Sequence, residues 1–171
     1  MRFEIYGPYV VPRNGRWVSR SRRDKRQFWQ AVEEDVKGLS TACGCYVFSI
    51  RGRAWYVGLA ECRSFLDECF SGHKVLQYNE ALQSVNGNPS LYFIPKITPS
   101  SRFARPSVNG HRDIQFLENM LIGIALRRNP ELQNIRGTKM LREMNVPGIL
   151  NTHRGQARWG PVQNAKHVLG I

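Results

Sequence analysis

Glu118 is the side chain whose setting most needs a chemical reason. At about 100° per residue, Leu117, Leu121, Ile122, Ile124 and Ala125 fall within roughly 80° of Ile114 on a helix, and Glu118 lies about 40° from it, inside the apolar stripe. An unpaired carboxylate in such surroundings either stays neutral or keeps company with a cation, a metal ion or strong donors. An ion pair with one of the many Arg and Lys side chains and ligation of a metal both satisfy that demand.

Two phenols form a second constellation. Tyr46 and Tyr56 sit on two runs rich in β-branched and aromatic residues, 44 to 50 and 54 to 57, separated by Arg51-Gly52-Arg53, which reads as a β-hairpin. With a three-residue loop, Ile50 pairs with Ala54, Phe48 with Tyr56 and Tyr46 with Gly58, so that no side chain covers the Tyr46 phenol and its hydroxyl is open to a ligand. A two-residue loop pairs Tyr46 with Val57 instead.

A third lies in Phe70-Ser-Gly-His-Lys-Val-Leu-Gln-Tyr78. Lys74 and Tyr78 are four residues apart on one helical face, with His73 beside them after a glycine break. A cation and a phenol presented together suit a phosphate, and an imidazole titrates near neutrality, which suits proton transfer.

The elements that must position these groups follow from pattern. Residues 1 to 12 read as a strand and turn, followed by a basic arm (Arg13, Arg16, Arg20, Arg22, Arg23, Lys25, Arg26). Asp24 is the expected N-cap of a helix from Lys25 to Lys37, ended by Gly38. Beyond the hairpin, Ser64 onward takes helical spacing with a break at Ser71-Gly72, and Asn86-Gly-Asn-Pro89 ends it. Residues 91 to 94 read as a third short strand closed by Pro95, and 96 to 111 as an exposed loop. Asp113 to Arg128 is the clearest helix, its charges placed as the helix dipole prefers.

Twenty-five Lys and Arg against thirteen Asp and Glu give a net charge of +12. That excess favours a polyanionic partner, nucleic acid above all, bound through counterion release. Exposed candidates for that contact are Arg20, Arg22, Arg23 and Lys25 in the arm, and Arg102 and Arg105 in the loop. No run reaches the roughly 18 apolar residues of a membrane span, and the N-terminus lacks the apolar core and cleavage site of a secretory signal, which leads us to expect a cytoplasmic protein without a membrane partner. Cys43, Cys45, Cys62 and Cys69 are then reduced thiols acting as small buried hydrophobes. A zinc site built on Cys43, Cys45, Cys69 and His73 lacks a second closely spaced ligand pair.

Gly44-Cys45-Tyr46, followed by Tyr56-Val57-Gly58, resembles the two signature strands of the GIY-YIG nucleases, with Cys and Val in place of the two isoleucines. Glu118 in Phe-Leu-Glu-Asn-Met-Leu-Ile is similar to that family's metal-binding glutamate, and Asn134 to the asparagine that follows its long helix. The resemblance covers residues 44 to 136, and the segment from Phe65 to Leu82 resembles a divergent bacterial branch.

The resemblance implies an α+β fold: a small central three-stranded antiparallel sheet flanked by helices, carrying N-terminal strand-helix and C-terminal extensions. A single domain over 1–171 is expected, made of an N-terminal strand, basic arm and helix at 1–43, a core at 44–136 and a basic extension at 137–171. It further implies an endonuclease that uses Mg²⁺ or Mn²⁺ to hydrolyse phosphodiester bonds, DNA ahead of RNA. Glu118 would hold the metal, Tyr46 would be the base or orient the water, with His73 competing for that role, and Tyr56 would bind substrate phosphate. Gly44, Gly58 and Asn134 would serve structure or substrate. Leu59 replaces a lysine common in the family. The family's clamp arginine is also missing from its usual place, so Lys74, followed by Tyr78, is the preferred clamp and Arg63 the alternative. Those departures motivate a second reading, a binding module that keeps the fold without cleavage.

Overall fold

Strand pairing is set by where glycine and proline let backbones approach. The computed structural model describes residues 1–134, 138–149, 158 and 160–170, and the chain divides into two compact units, Met1–Gln133 and Asn134–Ile171. The first unit contains seven strands: β1 (Arg2–Phe3), β2 (Tyr6–Val10), β3 (Arg13–Asn14), β4 (Trp17–Val18), β5 (Gly44–Ile50), β6 (Arg53–Ala60) and β7 (Pro89–Ile97). Its helices are α1 (Arg22–Asp35), α2 (Phe65–Glu68), α3 (Gly72–Ser84) and α4 (Arg112–Arg128). The second unit holds α5 (Thr138–Glu143) and α6 (Gly160–Leu169). The result is a mixed α+β architecture with an antiparallel sheet and six helices among the described residues.

The three expected strands are present as β6, β5 and β7, in that order, but the sheet has five strands because β1 and β2 both pair with the outer edge of β7. β7 is also longer than the run from Leu91 to Ile94. Pro89 starts it, and Pro95 is accommodated opposite Gly44, where an added Cβ would lie 2.2 Å from the Ile94 carbonyl oxygen and 2.7 Å from the Pro95 Cα. Gly44 is thus required by close backbone approach.

The hairpin corrects the expected loop and keeps the expected register. Arg51 and Gly52 form a two-residue turn with φ of 52° and 70°, the left-handed pair that matches the twist of hairpin strands, and Ile50 pairs with Arg53. A one-residue turn difference would move every side chain to the opposite face. It does not here, because Ser49 pairs with Ala54 and Phe48 with Tyr56, leaving Trp55 as the extra residue of a β-bulge. Tyr46 therefore faces Gly58.

Helices cover both faces of the sheet. Tyr46, Phe48, Tyr56, Leu91 and Phe93 pack with Phe28, Trp29 and Val32 of α1 and Val75, Tyr78 and Leu82 of α3. On the other face Cys45 and Ile94 pack with Ile114 of α4, joined by Val47, Leu59, Leu117 and Leu121. α1 begins three residues before the expected start: Ser21 is its N-cap, accepting from the Asp24 amide, and Asp24 sits in the first turn. The expected break at Ser71-Gly72 separates α2 from α3, with Ser64 and Ser71 as their N-caps.

Part of the basic arm is structural. β3 and β4 form a small hairpin, from which Arg13 donates to the Gly87 carbonyl at 2.9 Å, and Arg16 to the Leu82 and Gln83 carbonyls at 3.1 and 2.9 Å. Those two guanidinium groups satisfy backbone acceptors at and beyond the C-terminal end of α3. Of the basic tail from Arg154 to Lys166, residues 154–157 and 159 lie outside the described residues. No helix among the described residues is long and apolar enough to cross a membrane.

Gly58 gives the sharpest test of the register. A Cβ there would lie 2.3 Å from Cζ and 2.4 Å from the hydroxyl of Tyr46. Gly58→Ala is expected to cost about 1–3 kcal/mol through overpacking, read as a lower denaturant midpoint with an unchanged slope, and Tyr46→Phe should leave most of that cost in place.

Candidate functional site

β6 is the edge strand of the sheet, so side chains from its two faces can share one rim. Tyr56 comes from the face covered by α1 and α3, Lys74 from the first turn of α3, and Glu118 from α4 on the opposite face. The start of the edge is closed by Asn129, whose side-chain amide donates to the Ala54 carbonyl at 2.8 Å, and by the Gln133 amide, which donates to the Trp55 carbonyl at 2.8 Å.

Lys74 is the hub on the near side. Its Nζ donates to the Tyr56 hydroxyl at 2.5 Å, lies 4.8 Å from the centre of that ring, and is 3.5 Å from Oε1 of Glu68 in α2. Burial opposes its charge, but Tyr56 and Glu68 outweigh that effect and hold the ammonium's pKa above its usual value. Tyr56 is pulled both ways. Burial raises its pKa, Lys74 lowers it, and the net shift is upward.

Glu118 is half-buried and makes no hydrogen bond or ion pair among the described residues. Burial raises its pKa to about 7, Lys74 acts in the opposite direction, and Glu61 adds to the rise. Its charge is felt in turn at Tyr56 and Cys45. The carboxyl is therefore electrically coupled to both the phenol and the ammonium, yet bound to neither. Of the two outcomes open from sequence, a closed ion pair is not what the fold provides.

Two nearby acids were not found by sequence reasoning. Glu61, just beyond β6, accepts from the His111 amide at 2.7 Å and from the Gln115 side chain at 3.0 Å, so it caps the start of α4 and fixes the helix that carries Glu118. Gly110, at φ +65°, lies against it, where an added Cβ would stand 2.6 Å from the Glu61 carboxylate. Glu68 shares the charge of Lys74. Neither Glu61 nor Glu68 stands at a helical spacing from its partner, so no local pattern marks them.

Tyr46 departs from expectation. It is 0% exposed, its ring lies over Gly58, and its hydroxyl makes no hydrogen bond among the described residues. The space above Gly58 is filled by the phenol itself rather than left open to a ligand. Complete burial pushes its pKa well above the usual phenol value, which disfavours the phenolate that a base role needs. Tyr78 is equally enclosed, stacked on Phe48 at 4.2 Å, and its hydroxyl is likewise unpartnered. The Tyr46 and Tyr78 rings flank Tyr56, each centroid 6.1 Å from its own. They form the wall behind the rim.

The remaining predicted residues divide. His73 is exposed beside Lys74, and Arg63 is exposed in the turn after β6; neither makes a hydrogen bond or ion pair among the described residues. Asn134 belongs to the second unit, where its carbonyl accepts from the Thr138 hydroxyl. Arg20, Arg22 and Arg23 are exposed before and in the first turn of α1. Lys25 is not free. Its Nζ donates to the Phe70 carbonyl at 3.1 Å and lies 5.9 Å from the Phe70 ring centre, tying α1 to the α2–α3 junction. Arg102 and Arg105 are exposed on the segment that follows β7.

The cysteines do not assemble a metal site. Cys43 and Cys45 donate to the Ala104 and Ile114 carbonyls, and Cys69 lies in the core of the opposite face. Burial raises the pKa of all three, while Cys62 is exposed. Among the described residues no group of three or more His, Cys, Asp or Glu side chains is placed to hold a metal ion. An ion at the rim would thus rest on Glu118 with water or ligand oxygens filling its other positions, a coordination that Mg²⁺ commonly accepts.

Compared with known proteins, the chain matches no family model, no curated protein and no solved structure.

The coupling of Glu118 has a consequence for stability. With its pKa raised from 4.5 to about 7, the folded state binds more protons than the unfolded chain across that interval, so Glu118 lowers stability as pH rises through it and the penalty is complete above about 7. Glu118→Gln is expected to raise the stability of the metal-free protein by about 1–2 kcal/mol above neutrality, allowing for partial solvent contact. Below the ordinary carboxylate range the gain should vanish. Denaturant melts at the two ends of the range check this; equal gains at both would place Glu118 in an ordinary setting.

Proposed function

We propose that this protein is a divalent-metal-dependent endonuclease of the GIY-YIG type, hydrolysing phosphodiester bonds in nucleic acid, DNA ahead of RNA. The observation that carries the reading is the unpaired Glu118 carboxyl coupled across the edge of β6 to the Tyr56–Lys74 pair. A carboxyl that is raised by burial and has no protein cation bound to it gains most from a metal. An anionic ligand, a fixed ammonium and a phenol within electrostatic reach of one another support that reading. The surplus of basic residues supports the polyanionic substrate.

Glu118 would hold Mg²⁺ or Mn²⁺, which supplies charge neutralisation at the phosphoryl group and its leaving oxygen. Because Lys74 donates to the Tyr56 oxygen, the Tyr56 proton is directed away from Lys74 and is available to a non-bridging phosphoryl oxygen. Lys74 stays protonated and offsets charge that develops on the phosphate. As a point charge it does not make the bidentate contact of an arginine, so orientation falls more heavily on Tyr56. With Tyr46 enclosed, the side chain left to accept a proton from water is His73, solvent-facing and adjacent to Lys74.

One observation favours the second reading, a nucleic-acid-binding module without cleavage: Glu68 already shares the charge of Lys74 at 3.5 Å. The two are separated by incubating supercoiled plasmid, single-stranded DNA and RNA with Mg²⁺ or Mn²⁺. The endonuclease is expected to cut at least one of them, Glu118→Ala and Tyr56→Phe to lower the rate by about 10²–10³-fold, and His73→Ala by about 10²-fold. Tyr46→Phe should retain most of the activity. Salt-sensitive binding without cutting by the native chain would establish the module and overturn the enzyme, and a collapse of activity in Tyr46→Phe at unchanged stability would return the base role to that phenol.

A further inference from the structure

The far edge of the sheet carries a second basic feature that the rim does not use. Where β1 and β2 cover β7, a cleft of about 620 Å³ opens between those strands, the segment just beyond the C-terminal end of α1 and the turn after β7. Three strand spacings, about 14 Å, separate β1 from β6, so this cleft is distinct from the Glu118 rim. Four cations reach it from three segments: Arg2, Lys37, and the pair Arg102 and Arg105. Its one acid, Glu4, is bound by both Arg2 and the Tyr6 hydroxyl.

None of the other three cations holds a backbone carbonyl, although Lys37 acts through space on the Glu33 carboxylate. Arg13, Arg16 and Lys25 each hold backbone carbonyls, whereas the side chains of Lys37, Arg102 and Arg105 make no hydrogen bond or ion pair among the described residues. The turn that presents Arg102 is built firmly. Thr98 exchanges backbone hydrogen bonds with Ser101 and Arg102 at 2.8–2.9 Å, its hydroxyl bonds to both backbone groups of Arg102, and Ser101 takes φ of 55°. The cleft also contains two partly exposed rings, Tyr6 and Phe103, packed edge to face at 5.9 Å.

Cations alone would suit any phosphate surface. A concave site that adds aromatic faces suits an unstacked base with its phosphates, and a duplex keeps its bases stacked out of reach. A volume of this size is also within the range of small-ligand pockets. We propose that this cleft binds single-stranded nucleic acid, with phosphates on Lys37, Arg102 and Arg105 and a base against Phe103. The inference rests on the nucleic-acid reading given above and adds a second contact remote from cleavage. It also separates the basic residues into two patches, since Arg22 and Arg23 stand at the other end of α1, about 20 Å from Lys37 along a helix of that length.

The test is fluorescence anisotropy on the full chain, with EDTA present, using a labelled oligothymidylate and a duplex of equal length over a range of salt. The Arg102→Ala/Arg105→Ala variant is expected to bind the single strand about tenfold more weakly, with the logarithmic salt slope reduced by about 1.4. Phe103→Leu, which keeps apolar volume, should weaken single-strand binding about five- to tenfold and leave duplex binding unchanged; circular dichroism verifies that both variants fold. Unchanged affinity in the double variant, or equal losses for single strand and duplex in Phe103→Leu, overturns the proposal. A native chain that cuts nucleic acid while the double variant binds normally refutes this inference alone. A native chain that neither binds nor cuts nucleic acid refutes both readings.

Discussion

The register of β5 on β6 is the constraint on which the first unit depends. A two-residue turn and a one-residue bulge at Trp55 compensate each other, so that Phe48 meets Tyr56 and Tyr46 meets Gly58. Were either device absent, Tyr56 would move to the face of α4 and lose Lys74, and the Tyr46 ring would meet a side chain instead of glycine. The same pairing makes β6 an edge, and an edge is the place where α3 and α4, on opposite faces, can contribute to one site.

Around that edge the other partly buried charges, Lys74, Glu68 and Glu61, are compensated. Lys74 is shared by Tyr56 and Glu68, and Glu61 is consumed by the start of α4. Glu118 is the exception, held by the fold in surroundings that favour its neutral form. A cation of the kind proposed would offset that cost. Local stability and the proposed chemistry therefore pull against each other at one residue, and the enclosed phenols of Tyr46 and Tyr78 give Tyr56 the rigid backing that a positioned hydroxyl requires.

Much of this is legible in the sequence because it is local: the α2–α3 break follows from Ser71-Gly72 and the placement of Glu118 from helical period. The partner of Tyr46 is not, because it depends on the turn. The two-residue loop alone would give Val57, the bulge at Trp55 restores Gly58, and no residue pattern announces that bulge. Glu61 and Glu68 were invisible because their partners come from other elements. The openness of Tyr46 was misread for a geometric reason: space above a glycine is available to the facing ring as well as to a ligand. Arg13, Arg16 and Lys25 read as a surface arm, but long cationic side chains also hold backbone carbonyls of other elements, and composition does not separate the two uses.

The proposed chemistry requires Glu118 to bind a divalent ion beside Tyr56 and Lys74. Paramagnetic broadening by substoichiometric Mn²⁺ in the amide NMR spectrum of the full chain tests it most directly. Selective loss of signals from the middle of β6, the first turn of α3 and the centre of α4 is expected, with all of them retained in Glu118→Gln. Broadening confined to other acidic residues, or identical spectra for the native chain and that variant, would contradict it.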